Sequence, residues 1–176
     1  MKKLSMKELE RKSVDEFKTS AKLPVIIVLD NVRSLLNVGS IFRTADAFSI
    51  EAIYLCGITG TPPNKEIQKT ALGATDSVTW KYYKETKVAL EDLKKSDYFI
   101  YAVEQIENSI KLNQHNLNKK KRKLAFVFGN EVSGVDENIL HLCDAALEIP
   151  QTGTKHSLNV SVSAGIVMWE IFRQLN

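Results

Sequence analysis

The chain has 176 residues, of which 44% are hydrophobic and 26% are charged, and its formal net charge is +3 at neutral pH. This length fits one domain, and the composition is typical of a globular protein rather than a disordered or disulfide-rich one. No apolar run approaches the ~18 residues that span a membrane, and the N-terminus lacks the apolar core of a signal peptide. We therefore expect a single-domain cytoplasmic protein.

The cysteines and the basic clusters have limited diagnostic value. Cys56 and Cys143 lie in apolar runs without CxxC or metal-ligand spacing, which predicts buried reduced thiols and no metal site. Residues 119–123 are all basic, and further lysines and arginines crowd residues 2–12. Such clusters are more often solvated surface than nucleic-acid contacts, so both interpretations stay open.

The first part of the chain predicts a charged extension, a buried strand and a helix. Residues 1–22 indicate a charged helical extension, and residues 24–29 form a β-branched run typical of a strand buried on both faces. Residues 37–48 then carry a core stripe at helical spacing. Asn37 begins this helix, and Arg43 lies about 160° from the centre of the stripe, pointing away from its own core. Arg43 is explained either as a solvent-facing residue or as part of a site outside this subunit's core.

Strand-like and helix-like segments alternate through the remainder of the chain. The strand-like runs are residues 52–56, 77–82, 98–103, 124–128 and 145–149. The helix-like runs are residues 65–72, 86–95 and 136–142. This alternation predicts an α/β domain with a mainly parallel sheet flanked by helices, whose ligands bind beyond the carboxyl ends of the strands. Four loops at that edge are therefore candidates for a site: those after Leu29, Val103, Phe128 and Ile149.

The loop after residue 128 combines two glycines with a carboxylate. Gly129 and Gly134 permit a tight turn close to a ligand. No Lys-Ser/Thr follows the second glycine and no GxGxxG follows the first strand, so neither a nucleotide triphosphatase nor a Rossmann dinucleotide site is indicated. Glu131 is explained either as a site carboxylate or as a cap of the helix that begins near Asp136.

Residues 149–172 predict a polar loop followed by a helix with two apolar faces. One side of the helical wheel carries Leu158, Val162, Gly165, Ile166, Trp169 and Phe172. The opposite side carries Val160, Ala164, Val167 and Ile171. One face can lie on the sheet, and the other needs another helix or a second subunit. Ser157 follows His156 without the spacing of a nucleophile elbow, so an N-cap is the stronger explanation of this serine.

Three short motifs follow one another along the chain. The first is Asn37-Val38-Gly39-x-x-x-Arg43, and the second is Phe128-Gly129-Asn130-Glu131 with Gly134. The third is Ile149-Pro150 followed by Ser157-Leu158-Asn159-Val160-Ser161-Val162. In order and spacing they resemble the three motifs of the SpoU/TrmH-type RNA 2′-O-ribose methyltransferase family of the SPOUT superfamily. The resemblance covers residues 23–172.

The resemblance implies a fold, an activity and a set of partners. The fold would be the SPOUT fold, in which a C-terminal trefoil knot within a single domain of residues 23–176 binds S-adenosyl-L-methionine. The activity would be transfer of a methyl group to a ribose 2′-hydroxyl of tRNA or rRNA. The enzyme would be a homodimer with its active site at the interface, without a metal and without a membrane partner.

The resemblance also assigns roles to residues. Five look like the polar members of the catalytic site: Asn37, Arg43, Glu131, Ser157 and Asn159. An arginine is normally protonated at neutral pH. Arg43 would therefore either act as a base in an unusual environment or orient the hydroxyl and stabilise its developing oxyanion. Cofactor contacts would come largely from the backbone near Val103, Gly129, Ile149 and Leu158.

Departures from the family pattern leave a second function open. Val132 stands where many relatives carry a glycine after the second-motif glutamate, and the additional N-terminal RNA-binding domain of several relatives has no counterpart in this sequence. Substrate selection is then expected to depend on the N-terminal segment, the C-terminal end and basic patches such as residues 119–123. The alternative function is a non-catalytic RNA-binding or ribosome-assembly protein that retains the fold.

Overall fold

Strands and helices alternate along the chain, as the hydrophobic pattern predicts. The computed structural model describes residues 1–5, 8–117 and 123–175. The helices are α1 (Val14–Thr19), α2 (Leu35–Ala47), α3 (Lys65–Ala71), α4 (Ala74–Ser77), α5 (Thr86–Lys95), α6 (Glu137–Leu140) and α7 (Val160–Leu175). The strands are β1 (Leu23–Asp30), β2 (Ile50–Cys56), β3 (Thr79–Tyr83), β4 (Tyr98–Val103), β5 (Ile110–Lys111), β6 (Lys123–Phe128) and β7 (Ala145–Glu148). The basic cluster at residues 119–122 lies outside the described residues.

The strands form one sheet in the order β3-β2-β1-β6-β4-β7-β5, and each pairing is parallel. The predicted class, an α/β domain with a parallel sheet between helices, is confirmed. β1 lies inside the sheet, and its residues from Val25 to Asp30 are buried, which explains why its sequence does not alternate. The register pairs Leu29 with Phe128, so β1 and β6 end at the same edge.

Helices cover both faces of the sheet. On one face α2 buries Val38, Ile41, Phe42 and Ala45, and α7 buries Ala164, Val167, Met168 and Ile171 in the same cluster. On the other face the cluster contains Ala89, Leu90 and Leu93 of α5 with Val135 and Ile139. α2 therefore packs between the sheet and its neighbouring helices, and its first turn lies at the carboxyl edge of β1.

The N-terminal helix is shorter than the sequence predicts. α1 begins only after Ser13, whose side chain and that of Glu16 form a reciprocal capping box. Phe17 is buried against the core, whereas Leu4 and Leu9 are exposed, so the predicted apolar side does not form one stripe. Two elements, α4 and β5, were not predicted because four and two residues are too short to show a period.

Both cysteines are free thiols in the folded chain. Cys56 is buried and Cys143 is partly buried, and neither forms a disulfide. Burial raises the pKa of both thiols to about 12. Among the described residues, no helix combines the length and the apolar character needed to cross a bilayer.

The two apolar faces predicted for α7 are confirmed. Val160, Ala164, Val167 and Ile171 are buried against the sheet. On the opposite side Val162 is 50%, Ile166 37% and Trp169 52% exposed. The Trp169 ring packs beside Phe48 and Phe172, at centroid distances of 5.8 and 6.0 Å. We call the exposed residues Val162, Ile166 and Trp169 the α7 stripe; it stays uncovered in a single chain.

Gly39 is the point where α2 and α3 approach most closely, and it gives a test of the packing. A Cβ at this position would come within 2.2 Å of both the Ile67 carbonyl oxygen and Thr70 Oγ1. Because one of these atoms belongs to the backbone, we expect Gly39→Ala to lower the free energy of unfolding by about 1–3 kcal/mol in urea denaturation. Gly153→Ala is the control, since no atom lies within 4 Å of the added Cβ. Equal losses in the two variants would contradict this packing.

Candidate active site

A cavity of about 540 Å³ lies beyond the carboxyl ends of β4, β6 and β7. Its walls are three of the four predicted loops, those after Val103, Phe128 and Ile149. All four residues predicted to contact a cofactor line it: Val103, Gly129, Ile149 and Leu158. Of the five predicted catalytic residues, Glu131, Ser157 and Asn159 line it as well. The second and third sequence motifs therefore converge on one concave surface.

The loop after β6 is a tight turn that needs both of its glycines. The backbones of Asn130 and Gly134 exchange hydrogen bonds of 3.1 and 3.0 Å. Gly134 has φ +70°, and a Cβ on Gly129 would lie 1.8 Å from the Gly134 carbonyl carbon. Val132 is not among the described residues with positive φ, so no glycine is required there. The departure from the family pattern at Val132 is thus compatible with the turn.

Glu131 holds the turn that leads into α2, whose N-cap is Ser34. Its carboxylate accepts hydrogen bonds from the backbone N–H groups of Arg33 (3.2 Å) and Ser34 (3.3 Å), and from Nδ2 of Asn37 (2.9 Å). A negative charge at this end of a helix is favourable. The predicted alternative role, a cap of the helix near Asp136, is wrong, because Asp136 caps α6 itself by accepting from Asn138 N–H at 2.9 Å.

These contacts lower the pKa of Glu131. Partial burial alone would raise it, but the hydrogen bonds from the Glu131 backbone, the Asn37 side chain and the Arg33 and Ser34 backbones outweigh burial. The pKa consequently lies below the ordinary value of 4.5. The carboxylate is ionised at neutral pH and acts as a hydrogen-bond acceptor.

A chain of hydrogen bonds continues from Glu131 to the third motif. Asn37 accepts at Oδ1 from Asn159 Nδ2 (3.2 Å) while it donates from Nδ2 to Glu131, which fixes the orientation of its amide. Asn159 Oδ1 in turn accepts from the hydroxyl and the backbone N–H of Ser161, at 2.6 and 2.9 Å. Residues from all three sequence motifs thus share a single network.

Asn159, rather than Ser157, caps α7. The side-chain oxygen of Asn159, Oδ1, accepts hydrogen bonds from the backbone N–H groups of Ser161 and Val162. These two groups lie in the first turn of the helix, where backbone donors have no partner within the helix. The predicted N-cap role of Ser157 is wrong because α7 begins at Val160, three positions later. Ser157 is exposed and faces the cavity instead.

Arg43 lies apart from this network. It is exposed on α2, as the helical wheel predicts, and six residues place it about 9 Å along the helix from Asn37. Within the described part of the chain, no carboxylate pairs with it, and it does not line the cavity. Its neighbour Thr44 packs against α7 at Gly165, where a Cβ added to the glycine would lie 4.0 Å from Thr44 Cγ2. Arg43 therefore lies beside the crossing of α2 and α7.

Two cavity residues were missed by the sequence interpretation. Glu104 accepts from the N–H groups of Gln105 (2.9 Å) and Val135 (3.1 Å), so it joins the end of β4 to the glycine turn. Gln105 donates from Nε2 to the His156 carbonyl at 3.0 Å and thereby holds the third-motif loop. The loop after Val103 was predicted as a candidate, but a Glu-Gln pair normally indicates only solvent exposure.

Metal-ligand clusters are absent from the described residues: no three of His, Cys, Asp or Glu lie close enough together to hold an ion. The fold and the cavity define an α/β protein with a candidate ligand site at the carboxyl edge of a parallel sheet. Residues 24–169 match the SpoU rRNA Methylase family. Because this match spans most of the sequence, the chain belongs to that family.

Individual relatives agree with the family match. The chain is 33% identical to the 23S rRNA (guanosine-2′-O-)-methyltransferase RlmB of Nitrosomonas europaea, over 85% of this chain and 56% of the relative. It is 29% identical to the tRNA (guanosine(18)-2′-O)-methyltransferase of Thermus thermophilus, over 95% of this chain and 84% of the relative. The chain spans 64% and 41% of the lengths of two other curated relatives it matches.

A solved structure shares the fold. The AdoMet-bound rRNA methyltransferase from Sinorhizobium meliloti superimposes with a TM-score of 0.80 at 26% identity, covering 94% of this chain and 62% of that one. The likeness therefore extends over nearly all of the chain.

The pKa of Glu131 predicts an acid-sensitive contribution to stability. Because the folded-state pKa is depressed, the contribution is present above the ordinary value of 4.5 and is lost as the pH falls through the lower folded-state value. We expect Glu131→Gln to lower the free energy of unfolding at pH 7 by about 1 kcal/mol, since an amide oxygen is a weaker acceptor than a carboxylate. Chemical denaturation as a function of pH should show this difference shrinking below pH 4.5.

Glu107→Gln is the matched control, since Glu107 is exposed and accepts no hydrogen bond from the described residues. This variant should retain the wild-type stability profile. A Glu131→Gln difference that persists unchanged at low pH would contradict the role of the charged carboxylate.

Proposed function

We propose that this chain is an S-adenosyl-L-methionine-dependent methyltransferase that methylates a ribose 2′-hydroxyl of RNA. The observation that carries the proposal is the hydrogen-bonded network of Glu131, Asn37 and Asn159 at the rim of the cavity. Family membership and the activities for which the RlmB and tRNA relatives are named support it. We further propose tRNA or rRNA as the substrate class.

The cavity suits a nucleoside-sized cofactor. Its volume of about 540 Å³ lies within the usual range of ~300–1,000 Å³ for small-molecule sites. Gly129 and Gly134 form the tight turn that lines one side of the cavity, and Val103, Ile149 and Leu158 line it with apolar residues. S-adenosyl-L-methionine, when bound, supplies an electrophilic methyl group, so no metal is needed for this reaction.

The chain's own residues would then position the attacking hydroxyl. Glu131 holds Asn37, and Asn37 holds Asn159, so these polar groups are fixed before the substrate arrives. Ser157 is exposed at the cavity and can contact either ligand. Arg43 would orient the 2′-hydroxyl and stabilise the negative charge that develops on its oxygen.

Because Arg43 lies outside the cavity of its own chain, we propose a homodimer in which Arg43 acts in the site of the partner. The α7 stripe supports this assembly, since three large apolar residues at helical spacing are 37–52% exposed in the single chain. Thr44, the next residue after Arg43, packs against α7 at Gly165, which directly precedes Ile166 of this stripe. Covering the stripe with a second copy would therefore bring an Arg43 to an interface.

The remaining features of the proposal concern chain organisation. We propose that residues 23–176 form one catalytic domain with a C-terminal trefoil knot, and that residues 1–22 are an extension that helps to bind RNA. The family membership supports the knot. We also propose a cytoplasmic location, where tRNA and rRNA are the available substrates.

The direct test is methyl transfer. Purified protein incubated with radiolabelled S-adenosyl-L-methionine and total RNA should place label on ribose, located by nuclease digestion. We expect Arg43→Ala to reduce kcat by about 10²–10³, the usual loss when one oxyanion-stabilising group is removed. Cofactor affinity, measured by calorimetry, should stay near the wild-type value. Cofactor binding without label in any RNA would instead favour the non-catalytic RNA-binding function.

A subunit-mixing experiment tests the shared site. Arg43→Ala and Ser157→Ala homodimers should each be nearly inactive, whereas their mixture should recover activity. The reason is that one site of a mixed dimer combines an intact Arg43 from one chain with an intact Ser157 from the other. If Arg43 acted within its own chain, every site in the mixture would lack one residue.

Ile166→Asp is the control for assembly. This substitution places a charge within the α7 stripe and should shift the protein to monomers in sedimentation, with loss of activity. Retention of the wild-type sedimentation coefficient by this variant, or a monomeric mass for the wild type, would overturn the dimer.

A further inference from the structure

A second exposed strip lies on the opposite side of the α2 N-terminus from the cavity. It consists of Arg33 in the loop after β1, Ile58 in the loop after β2 and Tyr82 near the end of β3. Ile58 is 64% and Tyr82 50% exposed, and Arg33 is exposed as well. We call these three residues the edge strip. None of them belongs to the three sequence motifs or to the α7 stripe.

The loops that carry the edge strip are firmly held together. Asn31 Oδ1 accepts from the N–H of Ile58 at 3.1 Å, and Thr59 Oγ1 accepts from the N–H of Val32 at 2.9 Å. Thr59 is buried and also donates to the Leu29 carbonyl at 3.1 Å. The exposure of Ile58 is therefore a property of an ordered loop.

Tyr82 is fixed in the same way. Its hydroxyl donates to the Gly57 carbonyl at 3.0 Å, so the polar tip is bonded to the backbone of the neighbouring loop while the residue stays 50% exposed. Gly57 has φ +62°, and a Cβ there would lie 2.1 Å from Asn31 Oδ1, which shows how closely the two loops approach. An immobilised ring with an open face is suited to stacking, because little side-chain entropy remains to be lost.

The edge strip is continuous with the proposed catalytic network. The backbone N–H of Arg33 donates to Glu131, the carboxylate that also holds Asn37. Tyr82 lies two strands away, since β2 separates β1 from β3, and two strand spacings amount to about 10 Å. A chain of a few nucleotides can span this distance.

The chemistry of the edge strip matches unpaired RNA. Single-stranded nucleic acid is bound by cations that contact phosphates and by aromatic rings on which bases stack. Arg33 supplies a guanidinium that pairs with no carboxylate among the described residues, Tyr82 supplies the ring, and Ile58 supplies apolar surface between them. Paired bases of an A-form duplex are already stacked and would gain nothing from the ring.

We propose that the edge strip binds an unpaired RNA segment adjacent to the methylated nucleotide, with Arg33 on a phosphate and Tyr82 stacked on a base. This inference rests on the proposed function and names the form of RNA that the site takes. It assigns substrate selection to the carboxyl edge of β1, β2 and β3, in addition to the N-terminal segment, the C-terminal end and the basic patch at residues 119–123.

The test compares binding of two probes by fluorescence anisotropy: a labelled oligouridylate and a fully paired RNA hairpin. We expect Tyr82→Ala to weaken oligouridylate binding about tenfold, the loss typical of one stacked base, and Tyr82→Phe to recover most of that affinity. Arg33→Ala should lower the slope of log Kd against log salt by about 0.7, the value for one phosphate contact on a single strand. Arg33→Lys should restore that slope.

Lys111→Ala is the charge-matched control, since Lys111 is exposed on β5 at the other end of the sheet. It should leave oligouridylate binding unchanged, and all variants should bind S-adenosyl-L-methionine as the wild type does. The inference is overturned if wild-type protein does not bind oligouridylate, or if the Arg33 and Tyr82 variants bind it with wild-type affinity. It is also overturned if these variants lose as much affinity for the paired hairpin as for oligouridylate. A changed sedimentation coefficient in these variants would also overturn it, because it would show that the edge strip is a contact between copies of the chain.

Methyl incorporation into total RNA separates this inference from the proposed function. Absence of incorporation by the wild type means that the proposed function has failed. Incorporation by the wild type together with unaltered oligouridylate binding by the variants means that only the edge strip has failed.

Discussion

The carboxylate of Glu131 at the N-terminus of α2 is the contact on which the site depends. Glu131 accepts a hydrogen bond from Asn37, which is 94 residues away in the sequence. Asn37 in turn accepts a hydrogen bond from Asn159, which is 122 residues away from it. The parallel pairing of β1 and β6 brings the loops after these two strands together. The loss of conformational entropy on ordering the loops is therefore offset mainly by the packing of the sheet, and less by the contacts within the site. Removing the charge would leave three donors competing for a weaker acceptor.

The sheet explains why the cavity, the network and the edge strip share one edge. Parallel strands end on the same side, and the loops after β1, β4 and β6 are therefore neighbours in space although they are distant in sequence. Each loop is held by side chains that satisfy backbone donors: Thr59, Glu104 and Glu131. The polar groups of this edge are consequently ordered before any ligand binds, which is what a positioning mechanism requires.

The sequence predicted the fold class and the cavity lining, but not how the polar groups pair. Alternating strand-like and helix-like runs were enough to predict the parallel sheet, whereas the strand order depends on tertiary packing that no local pattern records. Helical periodicity also predicted both faces of α7 and the outward direction of Arg43. The capping alternatives considered for Glu131 and Ser157 were wrong because they matched each residue to the helix nearest in sequence. In the folded chain, Glu131 follows β6 and bonds the turn after the neighbouring strand β1, and Asn159 lies nearer the start of α7 than Ser157 does.

The cap of α7 links the polar network at the rim of the cavity to the helix that carries the exposed apolar stripe. Asn159 donates to Asn37 from its amide nitrogen and caps α7 with its amide oxygen, and the uncovered apolar stripe of the same helix begins at Val162, within the first turn after this cap. A shift or rotation of α7 that improved self-association would therefore also move Asn159 relative to Asn37. A substitution that changes how the exposed stripe of α7 packs is therefore expected to disturb the hydrogen bond between Asn159 and Asn37 as well, so the two features cannot change independently.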